Sequence, residues 1–121
     1  MYKISKDFSF SASHVLNGLP DGHQCGRLHG HNYVVRVTLS SPKLGAEGFV
    51  FDYGNLSPFK RWIDDTLDHR HLNDLMIVQP SAENIARWLS DVAREQVSIP
   101  SPVTVSVSVS ETPKTWARWT P

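Results

Sequence analysis

The chain opens on strict alternation. Phe8, Phe10, Ala12 and His14 share one face of a stretch running from about Tyr2 to His14, with Ser9, Ser11 and Ser13 on the other. That period of two predicts a half-buried strand whose apolar row ends in a histidine. Val15 to Leu28 follows with Asn17-Gly18, Pro20-Asp21-Gly22 and Gly26, turn-forming residues that predict an irregular connection longer than a hairpin needs. A second strand is expected over His29–Ser40, where His29 and His31 stay in phase with Tyr33, Val35, Val37 and Leu39. Ser41–Gly48 reads as a turn and Phe49–Phe51 as a short third strand. Asp52 then caps a helix whose stripe is Leu56, Phe59, Ile63 and Leu67, with Pro58 in its first turn, where proline is tolerated.

After a polar loop, Leu67–Asp74, the pattern returns to helical spacing. Ser81 is placed to cap a second helix, Glu83 favours its dipole, and Ile85, Trp88, Leu89 and Val92 make its buried face. The helix should stop before Ile99-Pro100. The last strand alternates Val103, Val105, Val107 and Val109 with Thr104, Ser106, Ser108 and Ser110, so its valines face the helices and its small polar residues face water. Glu111 ends it in phase with the valines, aiming a carboxylate at the buried side. The order predicts an α+β fold: an antiparallel four-stranded sheet with two helices packed on one face. Open sheet edges invite pairing between copies.

Composition changes this picture only at its margins. At 121 residues, 40% of them hydrophobic and 20% charged, the chain is expected to form one domain, 1–121. A formal net charge of zero argues against nucleic acid as a partner. One cysteine excludes an internal disulfide and fits a reducing, cytoplasmic setting. Neither a signal peptide nor a membrane span is expected from the apolar pattern.

The chemistry concentrates in Cys25-Gly26-Arg27-Leu28-His29-Gly30-His31 together with His14. On a strand, residues two apart lie on one face at roughly 7 Å, so His29 and His31 can lean toward one ion. If the first two strands form a hairpin, His14 joins them. Three imidazoles leave room for an exchangeable fourth ligand, the arrangement of a catalytic zinc. A closed structural site with Cys25 as fourth ligand is the competing reading. Asp68-His69 is a carboxylate–imidazole pair of the kind that relays protons, the Asp fixing the ring tautomer. His71 competes for that role, and spacing does not separate the two. A dication nearby would stabilise a Cys25 thiolate.

With these residues in view, the sequence resembles the 6-pyruvoyl-tetrahydropterin synthase superfamily, and most of all its bacterial 6-carboxy-tetrahydropterin synthases. The motifs that carry the likeness are Phe10-Ser11-Ala12-Ser13-His14, Cys25 to His31, Val50-Phe51-Asp52-Tyr53, Leu67-Asp68-His69 with Leu72-Asn73-Asp74, and Ser110-Glu111-Thr112. The resemblance implies one zinc per subunit held by His14, His29 and His31. It implies Cys25 as base, Asp68 and His69 as the opposing proton donor, and Glu111 as anchor for the pterin ring. It also implies the tunnelling fold, in which protomers join edge to edge, commonly as a homohexamer with sites between subunits.

The implied reaction takes 7,8-dihydroneopterin triphosphate to 6-carboxy-5,6,7,8-tetrahydropterin, acetaldehyde and triphosphate, in queuosine or 7-deazapurine biosynthesis. The compact spacing of Cys25 and the His-x-His pair resembles that branch. The alternatives are the branch that stops at triphosphate elimination, giving the 6-pyruvoyl product, and a non-catalytic homologue that binds zinc or pterin. Arg70-His71 and the aromatic tail Trp116-Ala117-Arg118-Trp119 fall outside the family pattern, and the tail is expected to serve as an oligomer contact.

Overall fold

The computed structural model describes residues 1–121. Five strands, β1 (Tyr2–His14), β2 (His29–Ser41), β3 (Arg70–His71), β4 (Thr104–Thr112) and β5 (Thr115–Trp119), form one sheet in the order β3-β1-β2-β4-β5. Strands β1 (Tyr2–His14) and β2 (His29–Ser41) pair antiparallel over their whole length, from Tyr2 opposite Ser41 to His14 opposite His29. This register puts Phe8, Phe10, Ala12 and His14 on the same face as Tyr33, Val35, Val37 and Leu39, all buried. Phe10 and Tyr33 stack at 4.8 Å, and Phe8 meets Phe59 edge to face at 5.3 Å.

The helices cover that face. Asp52 accepts from the Gly54 N–H and caps a 3₁₀ turn, Tyr53–Leu56, which leads into the short helix α1 (Ser57–Trp62) with Pro58 in its first turn. The helix then widens into a π-helical turn, Ile63–Leu67, closed by the Asp68 N–H on the Ile63 carbonyl. Ser81 caps α2 (Ala82–Gln96) through the Asn84 N–H, as its sequence position predicts. Trp62 and Trp88 join the two helices at 5.4 Å. Strand β4 (Thr104–Thr112) pairs antiparallel with β2 and lays Val105, Val107 and Val109 under α2.

The sheet has five strands rather than the expected four, and it differs from expectation in three places. Phe49–Phe51 is not a strand: Gly45 N–H closes a turn on the Phe49 carbonyl, and Val50 and Phe51 pack on the core instead of entering a ladder. A run this short between a glycine turn and a helix cap has no neighbour to pair with. The aromatic tail forms β5 (Thr115–Trp119), antiparallel to β4. Its tryptophans sit under arginines: Arg36 lies over Trp116 at 4.6 Å, and Arg87 and Arg94 over Trp119 at 5.3 and 5.5 Å. A two-residue strand β3 (Arg70–His71) runs parallel to Ala12–Ser13.

The polar face of β4 also departs from expectation. Ser108 and Ser110 are buried, Ser108 Oγ accepting from Arg118 Nε at 2.9 Å and Ser110 Oγ donating to the Thr112 carbonyl. No helix is long and apolar enough to cross a membrane.

Candidate active site

The apolar faces of β1 and β2 end in three imidazoles. His14 pairs directly with His29, and His31 stands opposite Ala12. Gly30 between them allows the close approach, since a Cβ there would stand 3.2 Å from the Ala12 carbonyl oxygen. One ring nitrogen from each of His14, His29 and His31 lies within 4.8 Å of the others. His14 is fully buried.

Hydrogen bonds fix which nitrogens face inward. His14 Nδ1 donates to the Pro80 carbonyl at 2.7 Å, and His29 Nδ1 donates to the Arg27 carbonyl at 2.6 Å. A carbonyl only accepts, so both protons sit on Nδ1 and both Nε2 atoms present lone pairs. Those two Nε2 atoms face each other at 2.9 Å. Burial lowers His14 and His31 from the ordinary imidazole value, opposed by the Pro80 carbonyl at His14 and by the Glu111 charge at both, which favours the neutral rings.

Two lone pairs at that distance repel unless a cation lies between them. A tetrahedral zinc with nitrogens at 2.0–2.1 Å separates its ligands by about 3.3 Å. The pair therefore needs to open only slightly, and the donor set fits the ion.

Glu111 reaches the same point from β4. Its Oε2 lies 3.4 Å from His14 Nε2 and 3.5 Å from His31 Nε2, so the carboxylate does face the buried side. Burial pushes the neighbouring Tyr33 phenol above its ordinary range, with the Glu111 charge adding to the effect. Cys25 is not among the converging donors. It sits half-buried on a single 3₁₀ turn, Gln24–Gly26, with the Leu16 N–H on its carbonyl.

Sequence reasoning gave no role to the residues that hold the backbone just after His14. Asn73 brackets the next residue with both ends of its amide: Val15 N–H donates to Oδ1 at 2.9 Å and Nδ2 donates to the Val15 carbonyl at 2.9 Å. Gln79 does the same for Asn17, at 2.8 and 3.0 Å. Two side-chain amides thus stand in for a neighbouring strand where β1 leaves the sheet. Their spacing from His14 carries no sequence signal, because only folding brings residues 73 and 79 back to this edge.

Asp68 and His69 clamp the outer edge of β1 instead of joining the imidazole cluster. Asp68 Oδ1 accepts the Ser11 N–H at 2.9 Å and Oδ2 meets His69 Nδ1 at 2.9 Å. The His69 N–H donates to the Ser11 carbonyl at 2.7 Å. These bonds hold Asp68 below the usual carboxylate range, the Ser11 N–H first and the His69 ring second. They also hold His69 at φ +61°, a left-handed conformation that a non-glycine residue keeps only when its surroundings impose it. The ring itself is 82% exposed. It borders an open cleft of 580 Å³ with Ser11, Ser13, Asn32 and His71. His71 is engaged elsewhere, its Nδ1 2.9 Å from Ser13 Oγ.

A family model described as 6-pyruvoyl tetrahydropterin synthase matches residues 3–121, which takes in every residue of this arrangement. The chain belongs to the 6-pyruvoyl tetrahydropterin synthase family. Relatives of similar length carry a more specific name. A Synechocystis protein named 6-carboxy-5,6,7,8-tetrahydropterin synthase is 37% identical, over 98% of this chain and 93% of its own. A Bacillus subtilis protein of the same name is 29% identical, over 99% of this chain and 86% of its own. Among solved structures, the Caenorhabditis elegans 6-pyruvoyl tetrahydropterin synthase superposes with a TM-score of 0.84 at 28% identity, covering 99% of this chain and 95% of that one. The fold is the tunnelling fold of this family.

Proposed function

We propose that this pterin synthase is a zinc-dependent lyase converting 7,8-dihydroneopterin triphosphate to 6-carboxy-5,6,7,8-tetrahydropterin, acetaldehyde and triphosphate. The observation that carries the reading is the pair of facing Nε2 lone pairs on His14 and His29, with His31 and the Glu111 carboxylate beside them. The names of the Synechocystis and Bacillus relatives support the carboxy product over the pyruvoyl one.

His14, His29 and His31 would hold one zinc per chain. When bound, the ion supplies Lewis-acid polarisation of the oxygen-bearing substrate side chain. Glu111 accepts hydrogen bonds from the N–H edge of the pterin, a charge-assisted contact that orients the ring. Cys25 acts as a thiolate base that removes a proton from the side chain, and His69, with its tautomer fixed by Asp68, returns one. Cys25 is held apart from the ligand set by its own turn, which fits a base better than a fourth ligand.

The whole chain acts as one domain in this reading, in a cytoplasmic homohexamer with sites between subunits. Two features favour assembly. The outer edge of β1 is paired only at Ala12 and Ser13, and β5 has no partner on its outer side. His69 projects from that incompletely paired edge, exposed and outside the converging donor set, where a second copy would bring another site to it. The product would enter queuosine or 7-deazapurine synthesis.

Mass spectrometry of the products formed by zinc-loaded protein from 7,8-dihydroneopterin triphosphate tests the reading. The carboxy-pterin with acetaldehyde is expected. A pyruvoyl-pterin would transfer the chain to the other branch with the same residues, and zinc binding without turnover would leave a non-catalytic pterin or zinc protein.

A further inference from the structure

The cleft beside His69 has a composition that the proposed proton transfer does not use. Ser11, Ser13 and Asn32, from the polar faces of β1 and β2, line it together with His69, Arg70 and His71, and His31 borders it as well. None of its lining residues is acidic. Of the carboxylates around it, Asp68 is committed to the Ser11 N–H and to His69, and Glu111 lies 3.5 Å from the bordering His31 Nε2. The cleft is open at the surface, with a volume of about 580 Å³.

Arg70 is the charge without an assignment. It is exposed and forms no ion pair. Its one polar contact is a 3.5 Å approach of Nη2 to the Asp65 carbonyl, weak enough to be given up. Strand β3 nevertheless fixes its backbone beside Ala12, at the margin of the cleft. A permanent guanidinium with free donors, next to hydroxyls, an amide and imidazoles, is a receptor for a phosphate chain.

We propose that this cleft seats the triphosphate tail of the substrate, with Arg70 as the specificity-determining residue that distinguishes the triphosphate from its dephosphorylated form. The inference rests on the pterin triphosphate reading above. Holding the tail there anchors the leaving group beside the proton donor pair and orients the side chain without contributing to bond breaking.

Titration of zinc-loaded protein with inorganic tripolyphosphate, followed calorimetrically at low salt, tests the seat without requiring turnover. Arg70→Gln should weaken binding about tenfold or more, the size of one lost charge-assisted contact. Asn32→Asp should weaken it comparably: the carboxylate still accepts from Ser11 Oγ, which donates to Asn32 Oδ1 at 2.7 Å, but it brings a negative charge into the cleft. In turnover assays both variants should raise KM for the triphosphate substrate with little change in kcat, and tripolyphosphate should inhibit competitively. Unchanged tripolyphosphate affinity in both variants, or inhibition that leaves KM unaffected, overturns the proposal. Arg70-dependent binding in a protein that makes no pterin product would overturn the proposed reaction and leave the anion seat standing.

Discussion

Replacing Asn73 with alanine tests whether the two side-chain amides set the metal affinity. Asn73 never touches His14, yet it holds both backbone polar groups of the next residue, Val15, at 2.9 Å each. Each such bond contributes about 0.5–1.5 kcal/mol net, so losing both should cost about 2 kcal/mol where water only partly replaces them. For a chain of this length that corresponds to a fall in Tm of roughly 8 °C, measured at fixed protein concentration because assembly would also move it. The backbone leaving His14 then gains freedom, and the imidazole no longer stays aimed. Outer-shell losses of this kind weaken metal binding by about 10–100-fold. The lower end applies here, because the Pro80 carbonyl still fixes the ring through Nδ1. Competition against a chromophoric zinc chelator measures this directly. Asn73→Asp sharpens the test: it keeps the acceptor for the Val15 N–H but sets a carboxylate against the Val15 carbonyl, so it should rescue nothing. An Asn73→Ala protein with unchanged Tm and unchanged zinc affinity would refute the reasoning.

Three further outcomes are expected. Cys25→Ala should keep its zinc, measured by elemental analysis, and lose turnover; loss of the metal instead would make the thiol a ligand. Asp68 has a folded pKa below its unfolded one, so its contribution to stability is present at neutral pH and lost as pH falls through the depressed folded value. Asp68→Asn should therefore flatten the acid limb of a stability–pH profile, and an unchanged limb would show that the clamp on Ser11 carries no linkage. Ser90 is fully buried on α2 with a hydroxyl that has no partner. Ser90→Ala should raise stability by about 1 kcal/mol in a denaturant titration, and destabilisation would mean that the hydroxyl is satisfied after all.

The alternation of β1 with its terminal histidine, the His-Gly-His at the start of β2 and the valine row of β4 made most of the sheet and the imidazole cluster legible in the sequence. A period of two assigns every side chain to a face. Once the faces are set, pairing β1 with β2 leaves His14, His29 and His31 little freedom but to converge. The Ser81 cap and the stripe of α2 were legible for the same local reason.

Tertiary structure decided what depends on neighbours far along the chain. Phe49–Phe51 reads as a strand by residue type, but a strand exists only where a partner offers its hydrogen bonds, and none does. Trp116–Trp119 reads as an aromatic tail, and becomes β5 because β4 has an edge to fill and arginines stand ready over its rings. The partners of His69 and His71 likewise come from far along the chain: Ser11, whose two backbone groups hold the Asp68-His69 pair, and Ser13, whose hydroxyl engages His71. The tautomers of His14 and His29 were set by the carbonyls of Pro80 and Arg27, and the path after His14 by the amides of Asn73 and Gln79. Sequence periodicity records which way a side chain points. It does not record what meets it there.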